Sequence, residues 1–535
     1  MNSTRVIRTI SNFHIRLRFS NIIVLEESNF LKLTTEIIDV DTGGVLKILL
    51  NPVDITHLAM FAGERVLIKY NNQETVAIAE STSLVNQGKV GILNEVQREL
   101  DVKEGQDVEV LSDVKTTSVL AIRKKMDGLP LTGEEIQAIV EDLVSGRLSD
   151  IDVAAFLVSE QILGMSLEET VHLTRAIAEE GEQMDFGGNV FDKHSIGGVP
   201  GNKVSLLIVP IVAAAGLLIP KTSSRAITSP SGTADTMEVL ADVEFNVEEL
   251  QKIVNKAKAA IVWGGSLNLA PADDLFIRVE HPLLIDPRPQ MIASIMAKKL
   301  STGIQHLVLD IPTGQGCKVT TMEEARKLSH DFITVGNELG VNVHCAMTYG
   351  SQPVGHAIGP ALEAKEALET LMGGGPTSLI EKSTGLSGIL LEMGGLAARG
   401  AGRKLAKEIL TSGKALKKMR EIIGAQNGNP NIEPEQIPIG EHTFDLLAPS
   451  DGYVATLSNR ALVRIARAAG TPKLHGAGLY LHAKVGSRVK EGDAVLTVYA
   501  ETEGKLSDAI NVAKNLMPFT VEGMLLHTLT DTEQF

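Results

Sequence analysis

The residues of this chain that could do chemistry gather in three stretches, and all three favour an anion. In the first, Asp192-Lys-His-Ser-Ile-Gly-Gly-Val-Pro-Gly-Asn-Lys203, a cationic Lys193 and the hydroxyl of Ser195 precede Gly197, Gly198 and Gly201. Glycines let backbone N–H groups close on an anion, and the apolar run after Lys203 predicts a helix whose N-terminus points at it. The spacing is not that of a P-loop, so ATP hydrolysis is not implied. A Gly-rich strand-to-helix connection is common by itself. With lysine, histidine and serine packed beside it, phosphate binding is the stronger reading.

The second stretch, Lys221-Thr-Ser-Ser-Arg-Ala-Ile-Thr-Ser-Pro-Ser-Gly-Thr233, holds two cations and seven hydroxyl side chains within thirteen residues. Hydroxyls, an arginine fork and backbone N–H groups together can satisfy the many acceptor oxygens of a phosphate. A solvated Ser/Thr loop would not need the apolar flanks seen here, Ala213–Pro220 and Val239-Leu240. The third stretch runs from Pro271 to Lys318 and contains Arg278, Asp286, Ser294, Lys298, Lys299 and Lys318. Ser294 and Lys298 are four apart on a helix expected over Gln290–Leu300 and so share a face. Each of these residue types alone is more often a surface residue than a ligand, and Asp286 could equally cap the helix that follows it. His344 and His356 lack metal-ligand spacing and read as structural. Gly355, Gly359 and Gly373–Gly375 read as turns, and Trp263 as core.

At 535 residues the chain exceeds what one core supports, so several structural units are expected. Hydrophobic residues at 44% and charged residues at 22% are ordinary for a globular protein. Aromatics at 4% leave the core to Ala, Val, Ile and Leu. The formal charge of −16 argues against nucleic acid as a partner, because a polyanion would be repelled. An anionic substrate must then be captured by a local cationic site. Two cysteines, Cys317 and Cys345, exclude a disulfide scaffold and suit a reducing cytoplasm. No apolar run is long enough for a membrane helix, and Val204–Ile219, broken by Ser205 and Pro210, reads as a buried helix. Residues 1–30 carry scattered arginines with no apolar core or cleavage site, and read as an N-terminal extension rather than a secretion signal.

The elements that must position these residues follow from pattern. Residues 31–114 alternate short β-rich runs with turns (Leu33–Val40, Val45–Leu50, Arg65–Tyr70, Thr75–Glu80, Lys89–Leu93) and predict a small β-rich domain. Capping boxes at Thr132-Gly-Glu-Glu135 and Ser166-Leu-Glu-Glu169, with Ser149 as a cap between them, predict three consecutive helices. An α-helical domain is expected over 115–186 plus about 271–301. The α/β domain is expected over 187–270 plus about 302–440, with a mostly parallel central sheet. Its strand candidates, Ala259–Trp263, His306–Ile311 and Val341–Met347, are short and apolar, as parallel strands covered on both faces are. Polar turns follow several of them, where an open α/β sheet binds ligands. Residues 441–535 return to β, with barrel-sandwich turns at Ala448–Tyr453 and Val485–Asp493 and no carrier lysine. A subunit-contacting role suits that C-terminal domain.

With these stretches in view, Lys193-His-Ser-Ile-Gly-Gly198 resembles the signature of the thymidine, pyrimidine-nucleoside and AMP phosphorylase family. Ser223-Ser-Arg-Ala-Ile-Thr-Ser-Pro-Ser-Gly-Thr-Ala-Asp-Thr-Met237 and Trp263-Gly-Gly265 are similar to its archaeal AMP phosphorylase branch. The resemblance covers the chain from about Leu31 onward. It implies a helical domain facing a larger α/β domain, with the site in the cleft between them. It implies inorganic-phosphate contacts at Lys193, Ser195, Ser205, Ser223 and Thr233, and base contacts at His194, Arg278, Ser294 and Lys298. Substrate positions are implied at Gly198, Ser224, Arg225, Ala226, Ile227, Thr228, Ser229, Thr233, Ser294 and Lys318, with Asp286 as proton donor. The expected reaction is reversible phosphorolysis of AMP, with CMP and UMP as alternates, to free base and ribose 1,5-bisphosphate. Phosphate is a co-substrate; no cofactor or metal is expected, since Lys and Arg supply the positive charge. The family implies a homodimer or higher oligomer.

One departure bears on the substrate. Thymidine phosphorylases carry a Gly-Arg-x-Leu-Gly-His-Thr-Gly-Gly-Thr type loop where this chain has Ser224-Arg-Ala-Ile-Thr-Ser-Pro-Ser-Gly-Thr233. The added hydroxyls suit a second anion, the 5′-phosphate of a nucleotide. Three alternatives stay open: a thymidine or pyrimidine-nucleoside phosphorylase, an anthranilate-phosphoribosyltransferase-like enzyme, and a non-enzymatic assembly protein. The second would need magnesium and a carboxylate pair for a diphosphate, and the sequence offers no suitably placed Asp-Glu pair.

Overall fold

Period-two alternation in the N-terminal region closes on itself. In Lys47–Leu50, Ile48 and Leu50 are fully buried while Lys47 and Leu49 are half-exposed, the inside-outside pattern of a barrel strand. The computed structural model describes residues 22–24, 30–112, 114–226 and 229–524. Most of the expected N-terminal extension lies outside the described residues, as do Ile227 and Thr228. The chain divides into two compact units, residues 1–181 with 270–297, and residues 182–269 with 298–535.

In the first unit six strands form a closed barrel. Their order is Phe30–Ile38, Lys89–Leu93, Lys47–Leu50, Gln73–Ser81, Arg65–Tyr70 and Asp107–Leu111. Five of the six match runs read from the sequence; Asp107–Leu111 was missed because its acidic residues break the apolar signal. The barrel core is aliphatic, with Val66, Ile68, Val90, Ile92, Val108 and Val110 all buried. The helices that follow, Gly133–Val144, Asp150–Leu163 and Leu167–Glu179, each begin with a reciprocal capping box, at Thr132, Ser149 and Ser166. Each box satisfies backbone donors that a helix start leaves orphaned. Two more helices join them: Thr117–Met126, and Pro271–Leu283, which packs Phe276 against Phe156 with ring centroids 5.9 Å apart.

The second unit is built on parallel strands. Asn342–Tyr349, His306–Thr313 and Phe191–Ser195 form one three-stranded sheet, and Ile219–Ser223 pairs with Ala259–Trp263 in another. A parallel bridge between Val190 and Leu218 links them, so the five strand ends lie along one edge. The helix Ser205–Ala214 sits at the centre, and Leu206, Leu207, Ile208, Val209, Ile211 and Val212 have no exposed surface. A helix apolar all round belongs inside a core, and it tolerates Pro210 because packing holds it. Val247–Ala257 shows the opposite pattern: Leu250, Ile253, Val254 and Ala257 line one buried face. Beyond residue 440, one sheet joins Gly478–Leu481, Ala494–Ala500 and His442–Leu447 to Ala357–Ile358. A second joins Arg488–Val489, Gly452–Leu457 and Phe519–Glu522. Among the described residues, no helix is long and apolar enough to cross a membrane.

Candidate active site

The carboxyl ends of the parallel strands deliver the first two chemical stretches to one edge, where open α/β sheets place ligands. Side chains alternate along Phe191–Ser195, so Asp192 and His194 fall on one face and Lys193 and Ser195 on the other. Asp192 and Asp310 are completely buried, and each carboxylate is flanked by two buried lysines. Lys299 Nζ lies 2.6 Å and Lys221 Nζ 3.8 Å from Asp192. Lys382 Nζ lies 3.0 Å and Lys193 Nζ 3.8 Å from Asp310. Ser195 donates its hydroxyl to Asp310 at 2.9 Å and accepts from Asn202 at 3.0 Å, and Thr348 donates to Asp310 at 2.6 Å.

Four ammonium groups against two carboxylates leave an excess of buried positive charge, which an incoming anion would relieve. Burial pushes Lys193 down to about 8, against the pull of Asp310, and Lys221 down to about 7, against that of Asp192. Burial opposes the charge on Asp310 as well, but Lys382, Lys193 and the Thr348 hydroxyl hold its carboxyl below the usual range. Burial, then Lys299, Lys221, Lys193 and Lys298, drive His194 well below the ordinary imidazole range. The neutral imidazole this favours carries one donor and one acceptor.

The glycine turn lies against a second turn. Gly198 has φ +91°, and a β-carbon there would stand 2.8 Å from the Lys318 nitrogen. This close approach brings the backbones of Gly198 and Lys318 together. The turn is anchored by Lys203, which is buried and donates to Val354 O, Ala357 O and Glu366. Ser205 is buried as the first residue of the helix that follows.

In the hydroxyl-rich stretch, Ser223 ends its strand and donates to Ser224 O at 3.2 Å, while Ser229 donates to Ser231 O. Asp235 accepts from the Ala226 and Gly232 nitrogens, and Thr233 opens the short helix that follows. Arg225 is committed to this loop's own fold. Its guanidinium forks onto Glu238 at 2.6 and 2.7 Å, reaches Glu244 at 2.8 Å and lies 5.0 Å above the Trp263 ring. Its charge is met by the carboxylates of Asp235, Glu238 and Glu244. Trp263, read as core, is half-buried and serves as that platform.

Asp286, Arg278 and Ser294 belong to the first unit. Arg278 donates to Asp150 at 2.9 Å and to Gly43 O at 3.2 Å. Asp286 is exposed in the turn between Pro271–Leu283 and Arg288–Ser301, and Ser294 and Lys298 stand four residues apart on the latter. The sequence reading missed Asp192, Asp310, Asn202, Thr348 and Lys382. Two of them had a signal: a carboxylate inside an apolar strand, as in Leu307-Val-Leu-Asp-Ile311, must be buried and so must have a cationic partner. His356 bonds Leu481 O at 2.6 Å and stacks on Tyr480, a structural role.

Residues 187–416 match the glycosyl transferase family a/b domain and residues 119–181 the helical bundle domain of that family. Residues 453–520 match the pyrimidine nucleoside phosphorylase C-terminal domain. An AMP phosphorylase of Thermococcus kodakarensis is 51% identical over 91% of this chain and 97% of its own length. The AMP phosphorylase 1 of Archaeoglobus fulgidus is 50% identical over 90% of this chain and 96% of its own. The chain belongs to the AMP phosphorylase family. An AMP phosphorylase of Methanocaldococcus jannaschii, at 47% identity, is matched over 99% of its length, so the kinship spans every part of the architecture. The fold of anthranilate phosphoribosyltransferase from Thermus thermophilus aligns with 58% of the chain at a TM-score of 0.50 and 19% identity. That likeness is one of fold alone.

Proposed function

We propose that this protein catalyses reversible phosphorolysis of AMP to adenine and ribose 1,5-bisphosphate, with CMP and UMP as alternate substrates. The observation that carries the reading is the excess of buried lysine at the carboxyl ends of the strands, beneath the glycine turn of an AMP phosphorylase family member. An oxygen of inorganic phosphate attacks the anomeric carbon while the glycosidic C–N bond breaks. The electron pair of that bond passes to the base nitrogen, which takes a proton from Asp286. Lys193 and the N–H groups of the glycine turn hold the phosphate, converting a bimolecular encounter into a positioned attack. Ser195, Ser205, Ser223 and Thr233 add hydroxyls to that subsite. His194, Arg278, Ser294 and Lys298 take the base. Gly198, the Ser224–Ser229 backbone and Lys318 take the remainder of the nucleotide. The reaction needs no cofactor, and we place the protein in the cytoplasm as a homo-oligomer.

A pyrimidine-nucleoside phosphorylase is the second reading, favoured by the C-terminal match over residues 453–520. One experiment separates the two. Purified protein is incubated with AMP, CMP, UMP, adenosine and thymidine, with and without phosphate, and base release is followed. Release from AMP that requires phosphate, with adenosine inert, supports the first reading. Release from thymidine in preference to AMP supports the second, and no phosphate-dependent release removes both.

A further inference from the structure

We propose that Lys382 is a second cationic residue of the inorganic-phosphate subsite, holding that anion jointly with Lys193 across the carboxylate of Asp310. The inference rests on the phosphorolysis reading and extends it to a residue far along the chain. Lys382 lies on the helix Thr377–Met393, well after the glycine turn, with a side chain only 8% exposed. Its Nζ is ion-paired with Asp310 Oδ2 at 3.0 Å and has no other hydrogen-bond partner among the described residues. The same oxygen already accepts from Ser195 and neighbours Lys193, and the other oxygen of Asp310 accepts from Thr348.

Asp310 carries one negative charge, which Lys193 alone would balance. A second buried ammonium with unused donors costs stability unless something further is bound, since burial of a charge without full hydrogen bonding is unfavourable. The lysines on the other carboxylate differ. Lys299 has Thr222 Oγ1 at 3.4 Å and Lys221 donates to Thr222 O, so both have partners beyond Asp192. Lys382 also acts electrostatically on Cys317, the residue before Lys318 in the turn against which Gly198 packs. Its ammonium thus shares one carboxylate oxygen of Asp310 with Lys193 and the Ser195 hydroxyl. A phosphate there would complete its coordination with oxygen acceptors.

The test compares wild type with K382M and K382R. KM is measured separately for phosphate and AMP, and phosphate binding without AMP is measured by calorimetry. A charge-assisted hydrogen bond of about 1.5–3 kcal/mol predicts a loss of phosphate affinity of roughly 10- to 100-fold in K382M, with the KM for AMP nearly unchanged. K382R keeps the charge and should recover part of the loss. Should K382M fail to fold, the same split in K382R, phosphate KM raised and AMP KM unmoved, carries the test. The proposal is overturned if phosphate affinity in folded K382M, or in K382R where K382M does not fold, stays within twofold of wild type, or if both KM values rise together. Absence of phosphate-dependent base release in wild type would instead sink the phosphorolysis reading, and calorimetry would still decide whether Lys382 binds phosphate.

Discussion

Gly198 and Lys318, far apart in sequence, pack so closely that a β-carbon on Gly198 would meet the Lys318 nitrogen at 2.8 Å and the Cys317 backbone at 3.2 Å. The contact couples the glycine turn after the Phe191–Ser195 strand to the turn after His306–Thr313. Gly198 also sits at φ +91°, a region that residues with a side chain adopt only with strain.

Gly198→Ala should therefore cost about 1–3 kcal/mol of stability from strain alone and force the two turns apart. The expected result is a lowered melting temperature together with a raised KM for both AMP and phosphate. Wild-type kinetics in G198A would show that the spacing of the turns does not matter.

The buried lysines make stability and phosphate binding respond to pH with opposite signs. Lys193 and Lys221 are pushed down to about 8 and about 7, whereas an unfolded lysine stays near ~10.4. Below pH 7 both are charged in both states, and the cost of burying them is felt in full. From about pH 7 to ~10 the native state holds fewer protons than the unfolded state, so this contribution to stability rises with pH. Phosphate affinity falls over the same interval as Lys193 loses its charge. The check is the slope of melting temperature against pH between 7 and 9, which should be smaller in Lys193→Met, alongside the phosphate KM of wild type. A phosphate KM that does not rise toward pH 9 would contradict the role of Lys193.

How much of this was legible in the sequence depends on whether the signal was local. Capping boxes at Thr132 and Ser166 and the apolar run at Leu206–Val212 are properties of neighbouring residues, and the structure has helices there. The glycine turn was legible for the same reason. What sequence could not reveal is the assembly of Lys193, Lys382, Asp310 and Thr348, drawn from three strands and a helix. Nor could it reveal that Arg225, in a stretch whose composition suits anions, is held by Glu238 and Glu244. Those partners become neighbours only when the loop folds back over Trp263.

Arg225→Lys tests that commitment. A lysine keeps the charge but cannot make the two-pronged contact with Glu238 or lie flat over Trp263. Stability should fall by about 1–2 kcal/mol, a modest value because the side chain is 31% exposed. The KM for AMP should rise while that for phosphate holds steady, since the loop and not the glycine turn is loosened. Equal changes in both would argue that the loop belongs to the phosphate subsite alone.

Glu160 shows the opposite titration in the helical part of the first unit. It is 1% exposed, and neither carboxyl oxygen has a hydrogen-bond partner among the described residues. Burial, with Glu280 adding to it, raises its carboxyl well above the ordinary value, while Lys125, paired to Glu169 at 2.8 Å, only partly offsets this. Such a group favours the folded state most below the unfolded value of ~4.3 and loses that contribution as pH rises. Glu160→Gln keeps the shape and removes the titration. It should melt at or above wild type at pH 8, with the advantage shrinking toward pH 5. A variant that melts well below wild type at pH 8 would mean the ionised carboxylate has a partner it needs.

Asp286 is the residue on which the proposed chemistry turns, and Asp286→Asn separates proton donation from binding. The amide keeps the size and cannot deliver the proton, so turnover should drop by about 10²- to 10⁴-fold, the usual contribution of a general acid. Phosphate affinity should not change, because the cluster around Asp192 and Asp310 lies in the other unit and is untouched. The leaving group supplies a second reading of the same variant. A nucleotide whose base departs as a stable anion needs less help from an acid, so its turnover should fall least in D286N. Equal losses for good and poor leaving groups would point to a role in binding, and near-normal turnover with AMP would remove Asp286 from the mechanism.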